Sequence, residues 1–266
     1  MNMDFLGSLL LAFSMYSALP VPNVSWNDRR MRYAMCFFPL VGVAEGALLV
    51  LFLRLFAGAG AGRLFLTLGG TALPFLVTGG IHMDGYLDVA DARHSFGSRE
   101  EKLRIMKDPH LGAFAVIGAA VYLLLYAAGL SEIADPERLL AEGGFRGAYA
   151  MAGLFAAERA LSGLSLMIFP MAKKDGLAAA FSSGADRGKT GLVLVLWLAL
   201  SGMWMAGMGG MSGVLSFLAA AGSFLLYRRT AVRDFGGITG DLAGWFLERT
   251  ELSGVLLCAV CAIFGL

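Results

Sequence analysis

The chain has 266 residues, of which 58% are hydrophobic and 15% charged, and its mean hydropathy is +0.70. That composition excludes an ordinary soluble domain and points to a membrane protein with several spans. The net charge of +1 says little about partners; no nucleic acid is expected among them.

The first twenty residues, "MNMDFLGSLLLAFSMYSALP", carry no basic n-region and no small-residue cleavage site. They are therefore read as part of the fold rather than a signal peptide. A membrane span needs roughly 20 apolar residues, and clear candidates follow at about 34–53, 64–81, 111–130, 148–170, 190–208 and 211–227. Shorter apolar ends at about 5–19 and 252–266 are marginal. The expectation is an all-α polytopic helical bundle of six to eight spans, with eight favoured, because lipid leaves backbone groups no partner outside a helix. All 266 residues form one integral membrane domain in this reading, with motif-bearing loops at 20–33, 82–110, 171–189 and 228–250.

Basic residues sort by side. With eight spans, 16 of the 21 Lys and Arg fall in alternate loops, at Arg29, Arg30 and Arg32, at Arg93 to Lys107, at Lys173 to Lys189, and at Arg228 to Arg249. The opposite side receives Arg54, Arg63, Arg138 and Arg146. The basic side is expected to be cytoplasmic, which places both termini outside. The loop at 131–147, with Glu132, Asp135, Glu137 and Glu142, reads as a solvated external connection.

Within the spans, Glu158 and Arg159 are adjacent and can pair, whereas Glu45 has no local partner. Cys36, Cys258 and Cys261 lie in apolar runs and read as packing residues, with neither a disulfide nor zinc expected.

The chemistry concentrates in residues 79–92, "GGIHMDGYLDVADA". Asp84, Asp88 and Asp91 are spaced four and seven apart, which puts all three on one helix face within roughly 60°. Three like charges on one face repel, and a cation removes that cost. Oxygen ligands without thiolate favour a hard divalent ion such as Mg²⁺. A solvated helix end would account for an isolated pair of acids, but it accounts poorly for Asp108 in "MKDP" and Asp241 in "TGD" on the same side, each beside glycine or proline. Arg93, Arg99, Lys102, Arg104, Lys107, Lys173 and Lys174 surround the acids. Most of them follow from topology, and a few suit a diphosphate. His82 and His110 flank the set and could orient a carboxylate or move a proton.

Together these motifs resemble the cobalamin synthase family, the adenosylcobinamide-GDP ribazoletransferases. The family pattern G-G-x-H-x-D-G-x-x-D-x-x-D-G is matched by "GGIHMDGYLDVADA", the I-M-x-D-S-x-x-G-x-x-G element by "IMKDPHLGAFA", and the G-G-x-T-G-D-x-x-G element by "GGITGDLAG", with "LPVP" and "FPLVG" earlier. The resemblance runs from about residue 7 to 253. Ala92, Leu87, Pro109 and Ala115 depart from the pattern, and no carboxylate is lost.

The resemblance implies a multi-spanning enzyme of the cytoplasmic membrane that joins adenosylcobinamide-GDP to α-ribazole or its 5′-phosphate, releases GMP and requires Mg²⁺. On this chain it implies Asp84, Asp88, Asp91, Asp108 and Asp241 as metal ligands and Asp84, Asp88 and His82 as catalytic groups. Arg159, Gly236, Gly237, Thr239 and Gly240 are the implied substrate contacts, and Lys107 is added to them from the basic set that suits a diphosphate. Implied partners are corrinoid and nucleoside small molecules and membrane lipid, with self-assembly or a complex with other cobalamin-pathway enzymes left open. Two other readings compete. A lipid enzyme resembling CDP-alcohol phosphotransferases would show D-G-x-x-A-R, which "DGYLDV" lacks. A cation or metabolite transporter would place its acids at the midplane rather than at one surface.

Overall fold

The computed structural model describes residues 3–266, and every regular element in them is helical. The helices are α1 (Met3–Tyr16), α2 (Asp28–Ala34), α3 (Phe38–Gly58), α4 (Arg63–Thr78), α5 (Ile81–His94), α6 (Arg99–Ile105), α7 (Ala113–Ile133), α8 (Pro136–Leu140), α9 (Arg146–Ile168), α10 (Leu177–Gly184), α11 (Arg187–Phe235) and α12 (Gly240–Phe264). Four segments are long and apolar enough to cross a membrane: Asp28–Gly58, Ala113–Ile133, Arg146–Ile168 and Arg187–Phe235. A fifth is obtained when α4 and α5 are taken as one span broken by a 94° bend. Length and hydropathy alone therefore do not reach the six to eight spans expected.

The break decides where the acids lie. Gly79 and Gly80 both adopt left-handed backbone, with φ of 67° and 77°, a conformation that side-chain-bearing residues resist. The chain leaves α4 there almost at a right angle. α5, which carries Asp84, Asp88, Asp91 and Arg93, runs at 94° to α4 and packs against α12 and α7.

α11 would be about 73 Å long if straight, more than twice a hydrocarbon core. It is not straight: Gly210 departs from helical geometry, with φ 58° and ψ −138°. An added side chain at Gly213 would run into the Met205 backbone, and one at Gly202 would meet the Phe217 ring at 3.2 Å. Residues eight and fifteen apart touch only if the helix doubles back. α11 is thus a hairpin whose two limbs, 187–209 and 211–235, contain the two apolar runs read from the sequence at 190–208 and 211–227.

The last helix corrects a boundary. The sequence reading began its final apolar segment at 252, but α12 starts at Gly240 and takes in Glu248 and Glu251, whose charge hid it from a hydropathy criterion. The segments expected as loops are also largely helical, as α2, α5, α6, α10 and the facing ends of α11 and α12.

α9 is the axis of the bundle, with most of its length buried, whereas the limbs of α11 are peripheral. Small residues allow this packing, since close backbone approach is what brings helices together in lipid. A side chain at Gly42 of α3 would strike the Phe155 backbone, and one at Gly46 would come within 2.5 Å of Ala152 Cα. Leu51, Leu55, Leu76, Leu124 and Leu196 point outward as the apolar exterior. Gly42→Val should therefore separate α3 from α9 and destabilise the bundle by about 1–3 kcal/mol, read as a lower melting temperature in detergent. An unchanged melting temperature would show that the helices do not depend on this contact.

Candidate active site

Two helix starts build the site. α5 and α12 cross at backbone contact, and two glycines make that possible. A Cβ on Gly85 would lie 2.7 Å from Asp241 Cα, and one on Gly244 would lie 2.8 Å from the His82 carbonyl oxygen. These glycines sit in "HMDG" and "GDLAG", so each motif supplies both an acid and the gap that lets the other motif approach. Asp84 and Asp241 each occupy the first turn of their helix, where the partial positive charge of the helix N-terminus favours a carboxylate.

The turn before α12 is held by a two-bond parallel bridge. Ile238 N donates to the Pro170 carbonyl at 2.8 Å, and Ala172 N donates to the Ile238 carbonyl at 3.0 Å. Gly237 is the residue that permits it, because a Cβ there would lie 2.5 Å from Ala172 N. Gly236 terminates α11 in left-handed backbone with φ 79°. Thr239 caps α12 by accepting from Leu242 N at 3.2 Å, and its hydroxyl lies 3.4 Å from Asp241 Oδ2. The bridge ties "PMAKKDG" to "GGITGD", which carries Lys173 to the acids.

These elements enclose a cavity of about 350 Å³. His82, Asp84, Lys107, Lys173, Asp175, Thr239, Gly240 and Asp241 form its polar wall, while Tyr16, Phe38, Ser162 and Leu247 lie among its other lining residues. His82 is 4% exposed, packs beside the paired Tyr16 and Phe38 rings, and has an Nε2 without a hydrogen-bond partner. Asp88 follows one turn behind Asp84 and is half-buried. Burial, reinforced by the charges of Asp84, Asp241 and Asp91, pushes its carboxyl up to about 7. Asp241 is raised by burial, and Asp84 adds to the shift while Lys173 and Thr239 oppose it. The carboxylates thus share one electrostatic neighbourhood that is short of positive charge.

Among the described residues no three acidic, imidazole or thiol side chains close around a common point as a finished metal cage. Asp84 and Asp241 line the cavity, whereas Asp88 stands behind Asp84 outside its lining.

The remaining expected residues stand elsewhere. Asp108 is exposed and turned onto its own loop, accepting from His110 N at 3.0 Å with His110 Nδ1 2.7 Å away; the backbone bond, then the imidazole, hold it below the usual carboxylate range. Arg159 does not line the cavity: it is buried in α9, paired with Glu45 at 2.5 Å and Glu158 at 3.0 Å. That contact supplies the partner for Glu45 that the sequence did not reveal. Tyr16, Ser162 and Asp175 were not anticipated. Only Asp175 had a visible signal, its place in "MAKKDG".

Asp91 points to α7. Its Oδ2 accepts from Gly112 N at 2.6 Å and its Oδ1 from Ala115 N at 2.8 Å, so both oxygens satisfy open amides at that helix start. Asp91→Ala should therefore cost about 0.5–2 kcal/mol, the usual range for a lost helix cap, and lower the melting temperature. Asp84→Ala, at an exposed position among like charges, should leave it unchanged or raise it. A stable but inactive Asp91→Ala variant would instead make Asp91 a ligand.

Comparison with known proteins identifies the family. A family model described as cobalamin-5-phosphate synthase matches residues 8–260. A protein of Lachnoclostridium phytofermentans named adenosylcobinamide-GDP ribazoletransferase is 39% identical over 258 residues, covering 97% of this chain and 95% of the relative. Proteins of the same name are 35% identical in Pseudomonas syringae pv. syringae, covering 97% of each chain, and 28% identical in Clostridium perfringens, covering 96% of this chain and 98% of the relative. No solved structure matches the chain. With the matching model spanning nearly the whole sequence, the chain belongs to the cobalamin-5-phosphate synthase family.

Proposed function

We propose that the cavity between α5 and α12 joins adenosylcobinamide-GDP to α-ribazole or its 5′-phosphate and releases GMP. The observation that carries this reading is the convergence of Asp84, Asp241, Lys107, Lys173 and His82, from four separated stretches of chain, on one cavity. Carboxylates beside lysines suit a phosphoanhydride, whose reaction needs charge held in place more than covalent help. A volume of about 350 Å³ takes a phosphate-bearing nucleoside, leaving the corrin ring at the mouth.

Asp84, Asp88 and Asp241 would hold Mg²⁺. Bound there, the ion supplies Lewis-acid polarisation of a phosphoryl oxygen and neutralises charge on the departing GMP. Lys107 and Lys173, in the same polar wall, hold the phosphate oxygens. A hydroxyl of the ribose forms the new bond to the phosphorus borne by the corrinoid, the anhydride bond breaks, and GMP leaves with the bridging oxygen. His82 Nε2 is free in the cavity wall to take the hydroxyl proton. Thr239 and Gly240 form the floor at the α12 start.

Asp84→Asn and Asp241→Asn should each lower GMP release from adenosylcobinamide-GDP, α-ribazole and Mg²⁺ by about 10² or more, the scale of losing one transition-state contact, with insertion and melting temperature retained. Near-normal turnover at saturating Mg²⁺ would remove both residues from the mechanism.

The arrangement also supports eight crossings of the cytoplasmic membrane, by α1, α3, α4, α7, α9, the two limbs of α11, and α12. The acids and most Lys and Arg then face the cytoplasm, with both termini outside. A membrane-impermeant maleimide should label Glu100→Cys only in inverted vesicles and Glu137→Cys only in right-side-out ones. Labelling of both from one side would overturn this topology.

A further inference from the structure

A second cavity lies on the flank of the bundle, and no acidic side chain is among the described residues that line it. α3 and the first limb of α11 both pack on α9 but make almost no direct contact with each other. A slot of about 560 Å³ therefore stays open between them, larger than the cavity at α5 and α12. Its floor is kept low by small residues, Gly46 and Ala47 of α3 and Ala152, Gly153 and Ala156 of α9. A Cβ on Gly46 would lie 2.5 Å from Ala152 Cα, and one on Gly153 would lie 2.9 Å from the Trp204 ring. The three helices are among the segments long and apolar enough to cross a membrane, so the slot opens within the hydrocarbon layer.

One end of the slot is polar and positively charged. Arg54 stands near the C-terminal end of α3 and Tyr149 in the first turn of α9, at the same end of the bundle. Arg54 Nη2 donates to the Tyr149 hydroxyl, and the guanidinium lies 4.9 Å from the Phe145 ring centroid and 5.7 Å from that of Tyr149. Trp204 Nε1 donates to the Tyr149 carbonyl at 3.1 Å. Tryptophan, tyrosine and arginine at the end of a crossing mark the boundary between hydrocarbon and water. Among the described residues Arg54 has no carboxylate partner, whereas its neighbour in sequence Arg63 is paired with Asp135. From Arg54 the slot runs inward to Val43 and to Trp197, whose Nε1 donates to the Cys36 carbonyl at 3.1 Å. Apart from Ser201, the side chains along that path are apolar.

The dimensions select the occupant. Val43 to Arg54 covers roughly 16 Å of α3 at 1.5 Å per residue. Spread over that length, the volume gives a mean cross-section of about 35 Å². A helix 10–12 Å across needs more than twice that, so the slot takes a slender hydrocarbon chain and not a further helix. The cation at the boundary calls for an anion, and a guanidinium matches a phosphate with two parallel hydrogen bonds. We propose that this slot binds one phospholipid of net negative charge, its phosphate on Arg54 and one acyl chain laid along α9 between α3 and α11. The lipid fills the gap that α3 and α11 leave, and by binding only the folded protein it stabilises the bundle. The slot is separate from the carboxylates of the cavity, and the proposal does not rest on the reaction assigned to them.

The test strips lipid from the full-length protein in detergent and returns phosphatidylglycerol or phosphatidylcholine of matched chain length. Bound lipid is read by native mass spectrometry and stability by melting temperature. The wild-type protein should retain one phosphatidylglycerol per chain and melt at a higher temperature as that lipid saturates the site, with weaker retention of phosphatidylcholine. Arg54→Gln, at an exposed position, should weaken phosphatidylglycerol binding about fivefold, the scale of one basic residue beside an anionic membrane, and leave phosphatidylcholine unchanged. Arg54→Lys should restore most of the preference. Ala47→Phe, which fills the slot, should exclude both lipids; if it does not fold, the two Arg54 variants still decide. Three results would overturn the proposal: equal retention of the two lipids by the wild-type protein, a phosphatidylglycerol preference untouched in Arg54→Gln, or a wild-type mass of two chains without lipid, which would give the slot to a second copy.

Discussion

The contact on which the site depends is the crossing of α5 over α12 at two glycines. Gly85 faces the Asp241 backbone and Gly244 faces that of His82, so neither helix can acquire a side chain at the crossing without moving the other. Because each glycine is adjacent to or near an acid of its own motif, the crossing sets the separation of carboxylates drawn from distant parts of the chain. Both helix starts direct backbone N–H groups toward this region, which offsets part of the repulsion between the acids. The part that remains is visible at Asp88, whose proton is held unusually firmly by burial and by three neighbouring carboxylates.

Much of this was legible in the sequence, for reasons particular to each element. The spacing of Asp84, Asp88 and Asp91 marked a helix face, and α5 is that helix. The two limbs of α11 followed from two apolar runs separated by "GMGGM", where glycine permits the reversal. What escaped were relations between segments. Nothing in the local pattern says that Asp91 caps a helix beginning some twenty residues later, or that Glu45 meets Arg159 across the bundle. The start of α12 was missed because hydropathy averages treat Glu248 and Glu251 as an interruption, whereas in three dimensions they face inward and the apolar surface continues past them.

The burial of α9 explains why motifs from distant segments can be held to a fixed geometry in so thin a protein. Its small residues admit α3 and the α11 hairpin at close range, and Gly153 and Gly163 receive side chains from α11 in the same manner. A rigid axis of this kind leaves the polar ends free to carry short loops and helices without loss of register. The cavity thus borrows its rigidity from helices that contribute few of its polar groups.

The α11 hairpin has a consequence for how the protein assembles. By returning the chain to the side from which it left, it allows Ile238 to pair with the backbone of Pro170 and Ala172 across an intervening stretch that must first be folded. Contacts of such long sequence separation form late, after the local helices they depend on. A chain emerging from the ribosome therefore carries Asp84 in place long before Asp241 can join it. The cavity does not exist in any shorter nascent form, and completion of the final helix is what turns an inserted bundle into an enzyme.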